Sequence, residues 1–135
     1  MSKNFDARNI LKKEIHSEEV SMYAHPREIW YIKLWLNIGF EEDGKELQKW
    51  YIRPVLILSK VGNMYTVLPM TTKGKISRYY YRIQSIDFWK TSDVIISQIR
   101  SVDSKRFVEK MGMISKDEFF EIQKKVQELH FPNFL

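Results

Sequence analysis

Three histidines, seventeen aspartates and glutamates, and twenty-two lysines and arginines are the groups in this 135-residue chain that could do chemistry, and no cysteine accompanies them. His16, His25 and His130 are scattered, so no pair has the spacing of a metal site or of a nucleophile and its base. Each reads as a structural or solvated histidine, and His25 draws interest only because it abuts Pro26 at the start of a strand. Glu41, Glu42 and Asp43 offer oxygen ligands, but they lack the alternation of a calcium loop and read as a solvated cluster. No metal site is expected. Absence of cysteine excludes a thiolate nucleophile, a disulfide framework and any Cys-ligated zinc or iron–sulfur site. Gly39 and Gly44 lead into neither a Lys-Ser/Thr pair nor a helix start, so no glycine-rich phosphate loop is present.

What remains is cationic and aromatic. Lys73, Lys75, Arg78, Arg82 and Lys90 face a single acid, Asp87, between residues 71 and 90, and this segment carries nearly all of the net charge of +5. Clustered cations suit the phosphates of a nucleic acid, and Tyr79-Tyr80-Tyr81 among them suits stacked bases. In a strand Tyr80 faces opposite its two neighbours, so one side can pack while the other offers a stacking surface.

The elements that hold these groups follow from periodicity. Residues 1–25 place Ala7, Ile10, Leu11 and Ile15 on one helical face and are read as an N-terminal helical extension. Pro26 stops it, and Glu28 to Leu36 is the first strand. Residues 37–51 read as a long surface loop. Pro54 to Ser59 is a strand, Gly62-Asn63 a hairpin turn, and Met64 to Pro69 the return. Thr71 to Ser77 is a polar connection, Arg78 to Gln84 a fourth strand and Val94 to Ile99 a fifth. Ser115-Lys-Asp-Glu118 is a capping box, followed by Phe119, Ile122, Val126 and Leu129 at helical spacing, which predicts a helix over 115–130. Strands joined by loops rather than helices predict a mainly β fold, a curved antiparallel sheet or small barrel over 27–103 in one domain spanning 1–135. No apolar run reaches the ~18 residues of a membrane span, and the start Met-Ser-Lys-Asn-Phe-Asp has no signal-like apolar stretch. A cytoplasmic protein with no membrane partner is expected.

The order of short motifs adds a family. An Asn37-Ile-Gly-Phe-Glu-Glu-Asp-Gly44 loop precedes Arg53-Pro-Val-Leu-Ile-Leu58, then Val67-Leu-Pro-Met-Thr-Thr-Lys73, then Val94-Ile-Ile-Ser-Gln-Ile-Arg-Ser-Val-Asp103. This succession, over roughly residues 27 to 130, resembles the MazF/PemK toxin endoribonucleases. The resemblance implies an SH3-like barrel with a C-terminal helix, usually homodimeric. It implies metal-independent, cofactor-free cleavage of single-stranded RNA at short sequences, by the toxin of a toxin–antitoxin pair whose protein partner is its cognate antitoxin. By motif, the catalytic arginine falls on Arg53 and the catalytic threonine on Thr71. The loop bordering the RNA site falls on Gly39 to Gly44, with Glu41 conserving an acidic position of the motif and Glu42 standing where the family has Gln. Thr72, Lys73, Lys75, Arg78, Tyr80, Gln98 and Arg100 complete the expected RNA-binding set, Gln98 and Arg100 sharing one face of the fifth strand.

Elementary chemistry bounds the roles. Arginine stays protonated, so Arg53 is a poor base, but its planar fork matches two phosphate oxygens. Thr71 has no base beside it in sequence, whereas RNA brings its own nucleophile, the 2′-OH, so the threonine hydroxyl is expected to orient the phosphate. Products are then a 2′,3′-cyclic phosphate and a 5′-OH. Set against this is a non-catalytic SH3-like module that binds nucleic acid or protein, in which Arg53 makes a surface ion pair with the acidic loop and Thr71 a turn hydrogen bond to its own backbone.

Overall fold

The computed structural model describes residues 23–40, 46–86 and 92–134. The N-terminal helical extension expected before Tyr23 therefore lies outside the described residues. Seven strands are described: β1 (Glu28–Phe40), β2 (Glu46–Val61), β3 (Met64–Thr71), β4 (Tyr80–Arg82), β5 (Asp93–Ile95), β6 (Arg100–Asp103) and β7 (Phe107–Met113), followed by the helix α1 (Lys116–His130). All described pairings are antiparallel, in the order β4-β5-β3-β2-β1-β7, with β6 also paired to β3.

Alternation explains the uninterrupted Val-Leu-Ile-Leu run of β2, because both faces of the sheet are covered. Val55 and Ile57 join Trp30, Ile32, Tyr65, Val67, Val102 and Phe107 on one side. Leu56 joins Ile29, Leu68, Met70, Val94, Ile96 and Ile114 on the other, where Phe119 and Ile122 of α1 close over them. Each such fully buried side chain contributes roughly 1.5–3 kcal/mol. Phe107 stacks on Trp30 with centroids 5.2 Å apart and meets Tyr65 edge-on at 4.7 Å.

Several expectations are corrected. Among the described residues the sheet is open and no barrel closes: β4 and β7 end the strand order without pairing to each other, and α1 covers the second apolar cluster. The loop foreseen over 37–51 is mostly ladder, with Asn37 paired to Gln48 and Phe40 to Glu46 along β1 and β2. The strand foreseen over 78–84 shrinks to three residues. The strand foreseen over 94–99 stops at Ile95 as β5, and a separate β6 starts only at Arg100, because β3 pairs with β6 from Met64 to Val67 and with β5 only at Met70 and Thr71. Pro69, which has no N–H to donate, sits where the pairing changes hands. β7 has no counterpart in the sequence reading, since Phe-Val-Glu-Lys-Met-Gly-Met alternates poorly.

The hairpin and helix hold as read. Val61 pairs with Met64 across Gly62-Asn63, and Gly62 adopts φ 63, which glycine reaches without strain. Ser115 Oγ caps α1 by accepting from Glu118 N at 3.1 Å. Only this half of the capping box forms: the Glu118 carboxylate instead accepts from the Gln84 and Ser85 N–H groups at 2.8 and 3.0 Å, tying the end of β4 to the helix.

Candidate active site

Registers place four polar residues in one row. The β2–β3 pairing ends at Val55 and Pro69, and Arg53 and Thr71 lie two residues beyond it on their own strands, with the alternation that carries Val55 and Val67. Thr71 pairs with Asp93, and Asp93 with Arg82. Arg53, Thr71, Asp93 and Arg82 thus continue the first apolar cluster as a polar strip across β2, β3, β5 and β4.

Hydrogen bonds fix the members. Arg53 Nε donates to the Met70 carbonyl at 3.2 Å, anchoring the half-buried guanidinium beside Thr71 and leaving its two terminal nitrogens for a ligand. No carboxylate pairs with Arg53 among the described residues, and the acidic loop with which a surface ion pair is the alternative lies outside them. Thr71 Oγ1 accepts from Lys73 N at 3.0 Å, a turn bond that leaves the hydroxyl hydrogen free to donate. Arg82 grips Asp93 with two bonds, Nε to Oδ1 at 2.9 Å and Nη2 to Oδ2 at 3.3 Å, and this pairing raises the guanidinium's pKa further. Asp93 is 3% exposed. Gly74 lies against it so closely that a Cβ there would overlap the carboxylate.

The remaining expected residues divide. Thr72, Lys73 and Lys75 lie exposed on the turn that follows Thr71. Tyr80 flanks the strip, while Tyr81 packs behind the sheet and donates to Glu121 at 2.7 Å, so these two alternate as expected, whereas Tyr79 lies in the turn before β4 and off the strand. Burial, then the bond to Glu121 and the nearby Glu118, push the Tyr81 phenol upward and keep it protonated. Arg78 turns away: it stacks on Tyr79 at 5.2 Å and lines a hollow with Lys125, Glu128 and Leu129. Gln98 sits in the connection between β5 and β6, so it and Arg100 do not share a strand face, contrary to expectation. Arg100 pairs with Val67, about 13 Å along β3 from Thr71, and borders a separate cavity of about 380 Å3 with Leu34 and Arg106. Gly39 marks a bulge in β1, paired with Leu47; Glu41, Glu42 and Gly44 lie outside the described residues. Phe40 and Glu46, which bracket that loop, are about 23 Å of strand from Arg53.

Proximity in sequence misleads at Trp50. An odd spacing from Arg53 puts it and Ile52 on the opposite side of β2, where Lys33 and Arg106 lie over the indole at 5.9 and 5.5 Å. Sequence reasoning gave Arg82 only a general phosphate role and missed Asp93; its one available signal was a lone acid in an apolar run. Of the histidines, His25 Nδ1 lies 3.3 Å from Glu28 and His130 Nε2 lies 2.8 Å from the Ile96 carbonyl, both structural contacts. Burial would raise the Glu28 carboxyl, but bonds from Trp30 and His25 and the Lys110 ammonium hold it below its ordinary value. No group of three potential metal ligands occurs among the described residues, and no described helix is long and apolar enough to cross a membrane.

With this geometry in view, comparison with known proteins is informative. Residues 25–130 match the family model of the PemK-like, MazF-like toxin of type II toxin-antitoxin systems. Among solved structures, the chain is similar to MazF in a MazE–MazF complex from Deinococcus radiodurans, with 18% identity over 80% of this chain and 96% of that one, at a TM-score of 0.62. An endoribonuclease in complex with its cognate antitoxin from a mycobacterial species shares 12% identity over 82% and 98%, at 0.60. The Mycobacterium tuberculosis toxin MazF-mt6 shares 18% over 76% and 94%, at 0.57. These likenesses establish the fold. No functionally curated sequence matches significantly.

Proposed function

The chain belongs to this PemK-like, MazF-like toxin family of type II toxin–antitoxin systems, and we propose that it is an endoribonuclease that cuts single-stranded RNA at short sequences without a metal ion. The observation that carries this reading is the Arg53–Met70 bond, which holds a guanidinium beside the Thr71 hydroxyl on one face of the sheet. A phosphate placed there meets the two terminal Arg53 nitrogens as a bidentate fork and the Thr71 O–H as a third donor. The RNA 2′-OH attacks phosphorus, the O2′–P bond forms, and the P–O5′ bond breaks. Charge gathers on the non-bridging oxygens in the transition state, where fixed donors contribute most. The proton of the 2′-OH leaves to solvent, and the 5′ oxygen gains one. Products are a 2′,3′-cyclic phosphate and a 5′-OH.

Two protein partners complete the reading, a second copy and an antitoxin. Their support is the family, the antitoxin complexes of the similar structures, and an apolar groove of about 1030 Å3 between α1 and the β2–β3 hairpin, lined by Leu58, Ile99, Phe120, Val126 and Phe131. Patches of this kind mark protein contacts more often than chance. The test is direct: purified protein is incubated with a long single-stranded RNA in EDTA and new 5′ ends are mapped. Discrete cuts bearing 5′-OH groups are expected. Retained binding with no cuts, with or without divalent cations, would favour the non-catalytic module.

A further inference from the structure

Next to the Arg53–Thr71 pair, a cavity of about 210 Å3 is walled by Lys75, Ile76, Ser77, Tyr80, Arg82 and Asp93. It is smaller than the usual small-molecule pocket and suits one compact group. The polar inventory is lopsided. Lys75, Ser77, Tyr80 and Arg82 bring donors, whereas the one carboxylate, Asp93, is buried and gives both oxygens to Arg82. Two cations against one anion leave the walls net positive. A ligand that satisfies several donors around a positive site is an anion with several acceptor oxygens.

Asp93 lines the cavity but gives both carboxylate oxygens to Arg82, and everything near it is set by it. It stands between Thr71 and Arg82 in the ladders, holds Arg82 at two points, and has the Gly74 backbone pressed against its carboxylate. The turn that carries Thr71, Lys73 and Lys75 therefore cannot shift without disturbing the ion pair. Arg82 stands two strands from Thr71, roughly 10 Å away.

We propose that this cavity is a second phosphate subsite, in which Arg82, Lys75, Ser77 and Tyr80 hold a backbone phosphate flanking the scissile one, and that Asp93 is a positioning residue acting through Arg82 and Gly74. The inference rests on the endoribonuclease reading. It separates a phosphate that is held from the phosphate that reacts, and so assigns the basic turn to binding rather than to chemistry.

The test walks a single methylphosphonate linkage, which removes one phosphate charge, along an RNA that the wild type cleaves. At one flanking position the neutral linkage should raise the wild-type KM about tenfold, the scale of one lost charged hydrogen bond, with kcat within about twofold. Lys75→Ala and Asp93→Asn should each raise KM on the natural RNA and abolish the extra penalty of that linkage alone, because coupled partners do not lose the same contact twice. A general loss of structure would leave the penalty in place. If Asp93→Asn does not fold, Tyr80→Phe and Lys75→Ala probe the same cavity without touching the buried pair. Cleavage by the wild type with no sensitive flanking position, or with penalties equal in variants and wild type, overturns the subsite while leaving the endoribonuclease intact. Perturbation of Arg82 and Tyr80 NMR signals by inorganic phosphate alone, without that coupling, means a site for the free ion and also overturns it. No cleavage of any RNA by the wild type overturns both readings.

Discussion

The two sides of the sheet are built from the same strands yet end differently. Behind it, Leu56, Leu68 and Met70 lead only to more apolar partners, and α1 seals them with Phe119 and Ile122. In front, Val55 gives way to Arg53, and Val67 and Pro69 to Thr71, so the apolar cluster turns into a polar strip within two residues of strand. The difference teaches how an antiparallel sheet divides its duties. A closed back fixes strand positions to within a hydrogen bond, and the front can then carry charged groups at defined separations. Polar residues on the front are satisfied one by one: Arg53 by a carbonyl, Asp93 by Arg82, and Glu28 at the far end by Trp30, His25 and Lys110.

If that division is right, damage to the back should cost stability, and damage to the front should cost activity. Leu56→Ala removes a fully buried back residue and should lower stability by about 2–5 kcal/mol in urea unfolding, while turnover per folded molecule stays near the wild-type value. A comparable loss of turnover in the folded fraction would break the comparison. Arg53→Ala should do the reverse, cutting kcat by about 10²-fold or more with stability within about 1 kcal/mol. Its neighbour Ile52 points to the other side of β2 and is half exposed, so Ile52→Ala, assayed alongside, should leave kcat within about twofold. Equal effects at 52 and 53 would mean that the face does not matter.

Smaller effects sharpen the picture. Glu28 is held below its ordinary pKa of 4.5, so its unfolded form binds protons more readily and folding gains from it above that value. The gain should fade as pH falls through the lowered folded value. Glu28→Gln should therefore flatten the loss of urea stability as the pH falls below 4.5, without moving the pH dependence of cleavage. Matching slopes in variant and wild type would remove Glu28 from the account. Smallest of all, Lys73→Ala should reduce the salt slope of single-strand RNA binding by up to about 0.7 and leave the sites of cleavage unchanged.

Much of this was legible in the sequence, for physical reasons that differ by residue. The Gly62-Asn63 turn and the Ser115 cap are local chemistry, decided within a few residues. The Val-Leu-Ile-Leu run announced a strand, and the structure covers it on both sides. Arg53 and Thr71 came from the order of motifs, and the structure adds the bond from Arg53 to the carbonyl of Met70, the residue before Thr71. What escaped was decided by distant pairing. Val94 to Ile99 is strand-like throughout, and only the handover at Pro69 breaks it, which carries Gln98 off the strand. Asp93 has little local signal, and only the pairing with Thr71 on one side and Arg82 on the other gives it a role. Glu118, read as the partner of Ser115, went instead to residues 84 and 85, more than thirty positions away.

The claim at the centre is that the front strip supplies fixed donors while the RNA supplies its own nucleophile. A short RNA with one mapped cut, compared in EDTA with the same RNA carrying a single 2′-deoxy sugar at the nucleotide 5′ of that cut, tests it most directly. The account predicts that the natural strand is cut to a 2′,3′-cyclic phosphate and a 5′-OH, and that the deoxy strand resists at that position while still binding. Equal cutting of the deoxy strand, or cutting that needs a divalent cation, would contradict it.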